Sequence, residues 1–119
     1  MALSREPVDR RDPALFHKTT RRAPYERRRA ERPELFDVVL LNAEGEVTET
    51  TIGNLVVEID GERVTPPLDA GLLPGVFRAH LLARGEMRER PLRPADLGRA
   101  RRIWLVNALR GWVEVGFVP

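Results

Sequence analysis

The spacing of apolar residues divides this chain into a polar front and a strand-rich remainder. Residues 1–13 are mostly polar, contain Pro7 and Pro13 and show no period. They predict a lead-in or linker remnant before a domain over residues 14–119. APYERRRAERPEL predicts a short helix that opens near Pro24 and stops before Pro33, because an internal proline removes a donor and clashes with the preceding turn. From Leu35 the texture changes. LFDVVLLN (35–42) is apolar enough for a buried strand, AEGE is a turn, and VTETT is a second strand. NLVVEID sets Leu55, Val57 and Ile59 against Val56, Glu58 and Asp60, a period of two that predicts a third strand. DGE is a hairpin signal and RVTPP returns, which makes an antiparallel meander.

PPLDAGLLPG then predicts a loop. PGVFRAHLLARG (74–85) predicts a helix, with Pro74 near its first turn and Gly85 as its stop. EMRERPL reads as a short strand, PADLGRA as a short helix, and RIWLVNALRGWVEVGFV as two strands around a turn at NALRG. Strands, helix, strand, short helix and strands in this order define an α+β domain.

Composition narrows the function classes. The chain has 119 residues, 42% hydrophobic and 32% charged, enough for one domain with a modest core. No apolar run approaches the ~18–20 residues of a membrane span, and MALSREPVDRRDP lacks the apolar core of a signal peptide. A cytoplasmic location without membrane contact is therefore expected. The absence of cysteine excludes disulfides and thiolate chemistry. A pI near 9.9 suggests a basic protein, yet the net charge is only +2 and arginine's high pKa carries the value upward. The positive excess sits at Arg21, Arg22, Arg27, Arg28, Arg29 and Arg32. Few aromatics interleave with it and no zinc-finger or RNP pattern occurs, so a solvated helix face is expected rather than a nucleic-acid site.

Of the 20 basic residues, Lys18 alone is lysine. Arginine serves wherever only charge is needed, but it cannot lose a proton and attack a carbonyl. Lys18 is either an amine kept for that chemistry or a chance survivor. His17 beside it could be a general base or a surface residue, and Tyr25 could be a site or a core residue. Glu49, at the end of GEVTE, could hold the proton of a ring nitrogen or simply face solvent. In LLPGVFR, the free amides of Gly75, Val76 and Phe77 could point at a phosphate from a helix mouth. VNALRG carries Asn107 and Arg110 on a turn, where Arg110 could clamp a carboxylate or merely decorate the surface. HExxH, GxSxG and P-loop patterns are missing, and two histidines without cysteine leave little scope for a metal; none is expected.

Together, FHKTTRRAPYE, VTETTIGNLVVEIDGERVTPPLDAGLLPGVFR and WLVNALRGW resemble the C-terminal half of the class IV (fold type IV) pyridoxal-phosphate enzymes. Within them the resemblance is closest to the aminodeoxychorismate lyases, especially the lyase domain fused behind aminodeoxychorismate synthase component I. It runs from about Phe16 to Val118. It implies antiparallel strands in a barrel-like sheet with a few short helices, and pyridoxal 5′-phosphate as cofactor. Lys18 matches the catalytic lysine that bonds the cofactor's aldehyde carbon and shuttles protons. Glu49 matches the glutamate facing the pyridine nitrogen. Ile52 and Gly53 match the turn against ring and phosphate, Val76 and Phe77 the helix-mouth pair holding the phosphate, and Asn107 and Ala108 the loop that closes over both. Arg110 has no firm counterpart and is assigned to a substrate carboxylate.

TTIGN stands where transaminases of this class carry a Gly-Ser-rich stretch, and the last loop is NALRG. Both favour a lyase, releasing pyruvate from 4-amino-4-deoxychorismate to give 4-aminobenzoate for folate. The alternatives are a branched-chain or D-amino-acid aminotransferase domain and a non-catalytic remnant. The family's N-terminal domain has no counterpart in this sequence. The resemblance therefore implies a homodimer, or a partner chain that supplies the missing half.

Overall fold

The structure of the chain, a computed structural model, describes residues 1–5, 7–9, 30 and 36–117. Strands β1 (Ala2–Leu3), β2 (Val38–Leu41) and β3 (Val47–Thr50) form one sheet in that order, β1–β2 parallel and β2–β3 antiparallel. Five further strands make a second sheet: β4 (Asn54–Ile59), β5 (Glu62–Thr65), β6 (Arg88–Glu89), β7 (Arg102–Asn107) and β8 (Gly111–Val115). Their spatial order is β6-β5-β4-β7-β8. A 3₁₀ turn (Leu68–Ala70), helix α1 (Val76–Ala83) and helix α2 (Pro94–Arg99) fill the connections. The predicted arginine-rich helix, His17, Lys18 and Tyr25 lie outside the described residues.

The α+β class read from the element order is the one observed. Closure into a barrel-like antiparallel sheet is not. The strands fall into two sheets, β5–β6 pairs in parallel like β1–β2, and no ladder joins β3 to β4 among the described residues. Closing a barrel needs a continuous, staggered ladder. β1 and β6 have only two residues each.

The polar lead-in also differs from expectation. Met1, Ala2 and Val8 are buried, and the amides of Ser4 and Val8 donate to the carbonyls of Val39 and Leu41, each at 2.7 Å. This segment satisfies the edge of β2, a role that two strand residues cannot announce by periodicity. Elsewhere the predicted elements contract. The strand expected over 35–42 covers Val38–Leu41, the helix over 74–85 covers Val76–Ala83, and EMRERPL yields only Arg88–Glu89.

The sheets face each other across the main core. Val39 and Val47 from one meet Leu55, Val57, Val64, Ile103 and Leu105 from the other. Each fully buried aliphatic side chain there contributes about 1.5–3 kcal/mol. β4 is buried on both faces, because Val56, with Trp104 and Val106, packs under Leu81 and Phe77 of α1. That packing fixes where the mouth of α1 points.

The β2–β3 turn is held by Asn42. Its Oδ1 accepts the amides of Glu44 (3.0 Å) and Glu46 (2.9 Å), while its Nδ2 donates to the Ala70 carbonyl at 3.0 Å. One buried side chain thus ties the first sheet to the loop that leads into α1.

Candidate functional site

Three chain reversals meet at the N-terminal end of β4, and each is built by local chemistry. At the β3–β4 turn the Thr50 hydroxyl donates to the Gly53 carbonyl (2.9 Å) and accepts the Gly53 amide (3.0 Å). A threonine side chain thereby closes a turn that the backbone alone would leave open. At the β7–β8 turn Asn107 works in the same way. Its Oδ1 accepts the Arg110 amide at 2.7 Å, and its Nδ2 crosses to the Ile52 carbonyl at 3.0 Å, locking the second reversal to the first.

The third reversal is the lead-in to α1, and Leu73 is its hub. The Leu73 amide donates to Glu49 Oε2 at 3.2 Å. Its carbonyl accepts Asn54 Nδ2 at 3.0 Å and the Gly75 amide at 2.9 Å. The helix mouth is therefore held between a β3 carboxylate and a β4 carboxamide. The first intrahelical bond runs from the Ala79 amide to the Gly75 carbonyl (3.0 Å), so the amides of Val76 and Phe77 have no acceptor within the helix.

These reversals enclose a cavity of about 310 Å³, at the small end of the range for small-molecule sites. Glu49, Ile52, Gly53, Val76, Phe77, Asn107 and Ala108 all line it, together with Thr51, Asn54, Leu73, Pro74, Gly75 and Val106. Every cofactor residue expected from the sequence, apart from Lys18, thus borders one space. Lys18 is not among the described residues. Arg110 is not in the cavity wall; its guanidinium lies 5.9 Å from the centre of the Phe36 ring, on the turn that Asn107 holds.

Glu49 is 2% exposed, which removes the solvent-facing reading of a strand-end glutamate. Two glycines are required by space. A Cβ on Gly75 would come within 2.3 Å of Asn54 Oδ1, and one on Gly53 within 2.8 Å of the Val106 carbonyl oxygen. By contrast, the large apolar side chains at the rim stand open: Val76 is 67% exposed, and Ile52 is exposed as well.

Asn54, Asp37 and Thr51 escaped the sequence reading. Asp37 is fully buried, and its Oδ1 accepts the Val38 amide (2.7 Å) and the Thr51 hydroxyl (2.6 Å). It anchors the cavity wall from behind. The signal was a charged residue inside the apolar run LFDVVLL. Asn54 stood in plain view in TTIGN, but nothing local marks its bond to Leu73.

This arrangement fits a flat ring bearing an anion: apolar faces at Ile52 and Val76, a buried carboxylate, a helix mouth with free amides, and glycines that let two strands and a helix approach closely. The family model described as amino-transferase class IV matches residues 1–116. The chain belongs to this family, whose enzymes depend on pyridoxal phosphate. The chain is 35% identical over 107 residues to a "Putative aminodeoxychorismate lyase" of Schizosaccharomyces pombe, covering 84% of this chain and 46% of that protein. It therefore spans about half the length of that relative.

Among solved structures, a "Putative amino-acid aminotransferase" from Mesorhizobium loti superposes with a TM-score of 0.92 at 39% identity, over 98% of this chain and 58% of that one. A hypothetical aminotransferase from Mycobacterium tuberculosis in its PLP-bound form gives a TM-score of 0.79 at 28% identity, over 98% and 46%. Among the described residues no helix is long and apolar enough to cross a membrane, and no cluster of His, Asp and Glu could hold a metal ion.

Proposed function

We propose that this chain is the cofactor-holding domain of a pyridoxal-phosphate lyase that releases pyruvate from 4-amino-4-deoxychorismate to give 4-aminobenzoate. The observation that carries the reading is the single cavity in which Glu49, the α1 mouth and the Asn107–Ala108 turn converge. Pyridoxal phosphate supplies an electron sink there, drawing electrons from the carbon that bears the substrate nitrogen.

The residues divide the remaining work. The Val76 and Phe77 amides, aided by the helix dipole, bind the phosphate. The Glu49 carboxylate holds the proton on the ring nitrogen, and the Leu73 amide, donating to its Oε2, helps to orient it. Ile52 lies against one ring face, and Gly53 leaves room for the neighbouring backbone. Asn107 and Ala108 close the wall. Lys18 would be the amine that holds the cofactor at its aldehyde carbon; displaced there by the substrate amine, it would be free to accept the proton from the ring carbon bearing the nitrogen, while the neighbouring C–O bond breaks, its electron pair leaves with enolpyruvate, and enolpyruvate takes up a proton to give pyruvate. Aromatisation drives that departure, and no amino-group acceptor is needed. Arg110, 5.9 Å from the centre of the Phe36 ring, donates to a substrate carboxylate. The site works as a cytoplasmic homodimer or with a partner chain that completes the pocket.

The 39% identity to an amino-acid aminotransferase favours a second reading, in which the same residues pass the amino group to a keto acid. The primary test is incubation with pyridoxal phosphate, borohydride reduction and peptide mapping. A stoichiometric adduct on Lys18, lost in Lys18→Arg and weakened in Glu49→Ala, is expected. Labelling no better than that of the N-terminal amine would sink the assignment. Turnover that depends on glutamate as amino donor would replace the lyase with the aminotransferase.

A further inference from the structure

Among the described residues Arg78 is the only cationic side chain that is buried, 3% exposed. It occupies the first turn of α1, and its Cβ lies 3.8 Å from where a Cβ on Gly75 would sit. A cation is disfavoured at this end of a helix, where the macrodipole is already positive. The compensation is partial. Arg78 Nη2 donates to the Pro66 carbonyl at 2.9 Å and pairs with Glu89 Oε2, while its buried Nε has no partner. Glu89 is held on β6 beside Thr65 and is 45% exposed, so water screens it while the arginine stays dry. The first turn of α1 carries no acidic residue of its own, so the water-screened Glu89 is, among the described residues, the one carboxylate paired with Arg78 and offsets its charge only in part.

We propose that Arg78 is a positioning residue whose buried charge sets the affinity of the α1 mouth for a phosphate monoester dianion without touching it, and that Glu89 trims that affinity. The inference rests on the reading that the helix mouth takes the cofactor's phosphate, and it goes beyond it by naming a residue outside the cavity wall. The guanidinium fixes the first turn against Pro66 and adds its field to that of the Val76 and Phe77 amides. Charges on this scale at a poorly hydrated site change anion affinity by roughly tenfold.

The test is equilibrium binding of inorganic phosphate, pyridoxal phosphate and pyridoxal to the chain and to its Arg78→Gln and Glu89→Gln variants, with melting temperatures recorded alongside. Arg78→Gln is expected to weaken phosphate and pyridoxal phosphate about tenfold and to leave pyridoxal within about twofold. Glu89→Gln, which removes only the opposing charge, is expected to tighten both phosphate ligands about threefold. A purely structural ion pair gives the opposite sign, with Glu89→Gln weakening all three ligands in step with the melting temperature, and that result overturns the proposal. Should Arg78→Gln fail to fold, the sign at Glu89 decides alone. Capture of pyridoxal phosphate on Lys18 with an unchanged phosphate-to-pyridoxal ratio in the variants sinks this inference and leaves the function standing. Phosphate binding that follows the predicted pattern without capture on Lys18 does the reverse.

Discussion

The two ends of β4 use glycine for opposite purposes. At the far end, Asp60 and Gly61 both take positive φ, 53° and 77°, in the two-residue turn to β5. A Cβ on Gly61 would meet nothing within 4 Å. That glycine is there for its backbone angle. At the near end, Gly53 and Gly75 have ordinary negative or extended backbones but no free space, because a carbonyl and a carboxamide occupy the volume a side chain would need. One end of the strand is shaped by chain geometry alone. The other is shaped by the Val106 carbonyl and the Asn54 carboxamide that pack against it.

Substituting each glycine with alanine breaks the comparison in order of effect. Gly53→Ala drives a Cβ against the Val106 backbone and must part β4 from β7; we expect a loss of about 2–3 kcal/mol in urea unfolding and at least tenfold weaker pyridoxal phosphate binding. Gly75→Ala displaces only the Asn54 side chain, breaking its bond to Leu73. About 1–2 kcal/mol and a several-fold loss of phosphate affinity should follow. Gly61→Ala strains the left-handed backbone and should cost about 1 kcal/mol with unchanged cofactor affinity. A cofactor effect at Gly61 equal to that at Gly53 would erase the distinction between the two ends.

A smaller effect sharpens it further from the site. The Arg93 amide bonds the Asp96 carboxylate at 2.8 Å, and this, with the Arg99 guanidinium, holds the carboxyl below its ordinary range. Because the folded state lowers this pKa, the stabilisation is present above the unfolded value and is lost as pH falls through the folded one. Asp96→Asn should cost under about 1 kcal/mol at neutral pH, discounted for solvent screening, and nothing in acid. Cofactor binding should not change. Parallel denaturation curves at pH 7 and pH 3 read the difference.

Much of the fold was legible because it follows from local pattern. The period of two in NLVVEID produced β4, and Asp60–Gly61 produced its hairpin. Proline and glycine bracketed α1 to within two residues at each end. β1 was invisible because two residues carry no period, and parallel pairing with β2 leaves no trace in either strand. The barrel-like expectation came from resemblance, and short edges defeat it here.

The site divides in the same way. Glu49, Val76, Phe77 and Asn107 were singled out by local chemistry, Ile52, Gly53 and Ala108 by the family resemblance alone, and all seven border a common cavity. Asp37, Asn54 and Arg78 were missed because each acts through a partner far along the chain. Thr51 is 14 residues from Asp37, Leu73 is 19 from Asn54, and Pro66 is 12 from Arg78. No window of sequence shows such a pair.

The bond from Asn107 to Ile52 spans 55 residues. It joins the β7–β8 hairpin turn to the reversal between the two sheets, so it forms only once β4 and β7 have paired in their final register. A bound cofactor rewards that last step and nothing before it. Ligand saturation should therefore behave as a proofreading check on folding: by mass action, a hundredfold excess over Kd stabilises the completed chain by about 2.7 kcal/mol and leaves partly registered states unaided. In the cell, cofactor supply would then govern how much of this protein survives as well as how much of it is active.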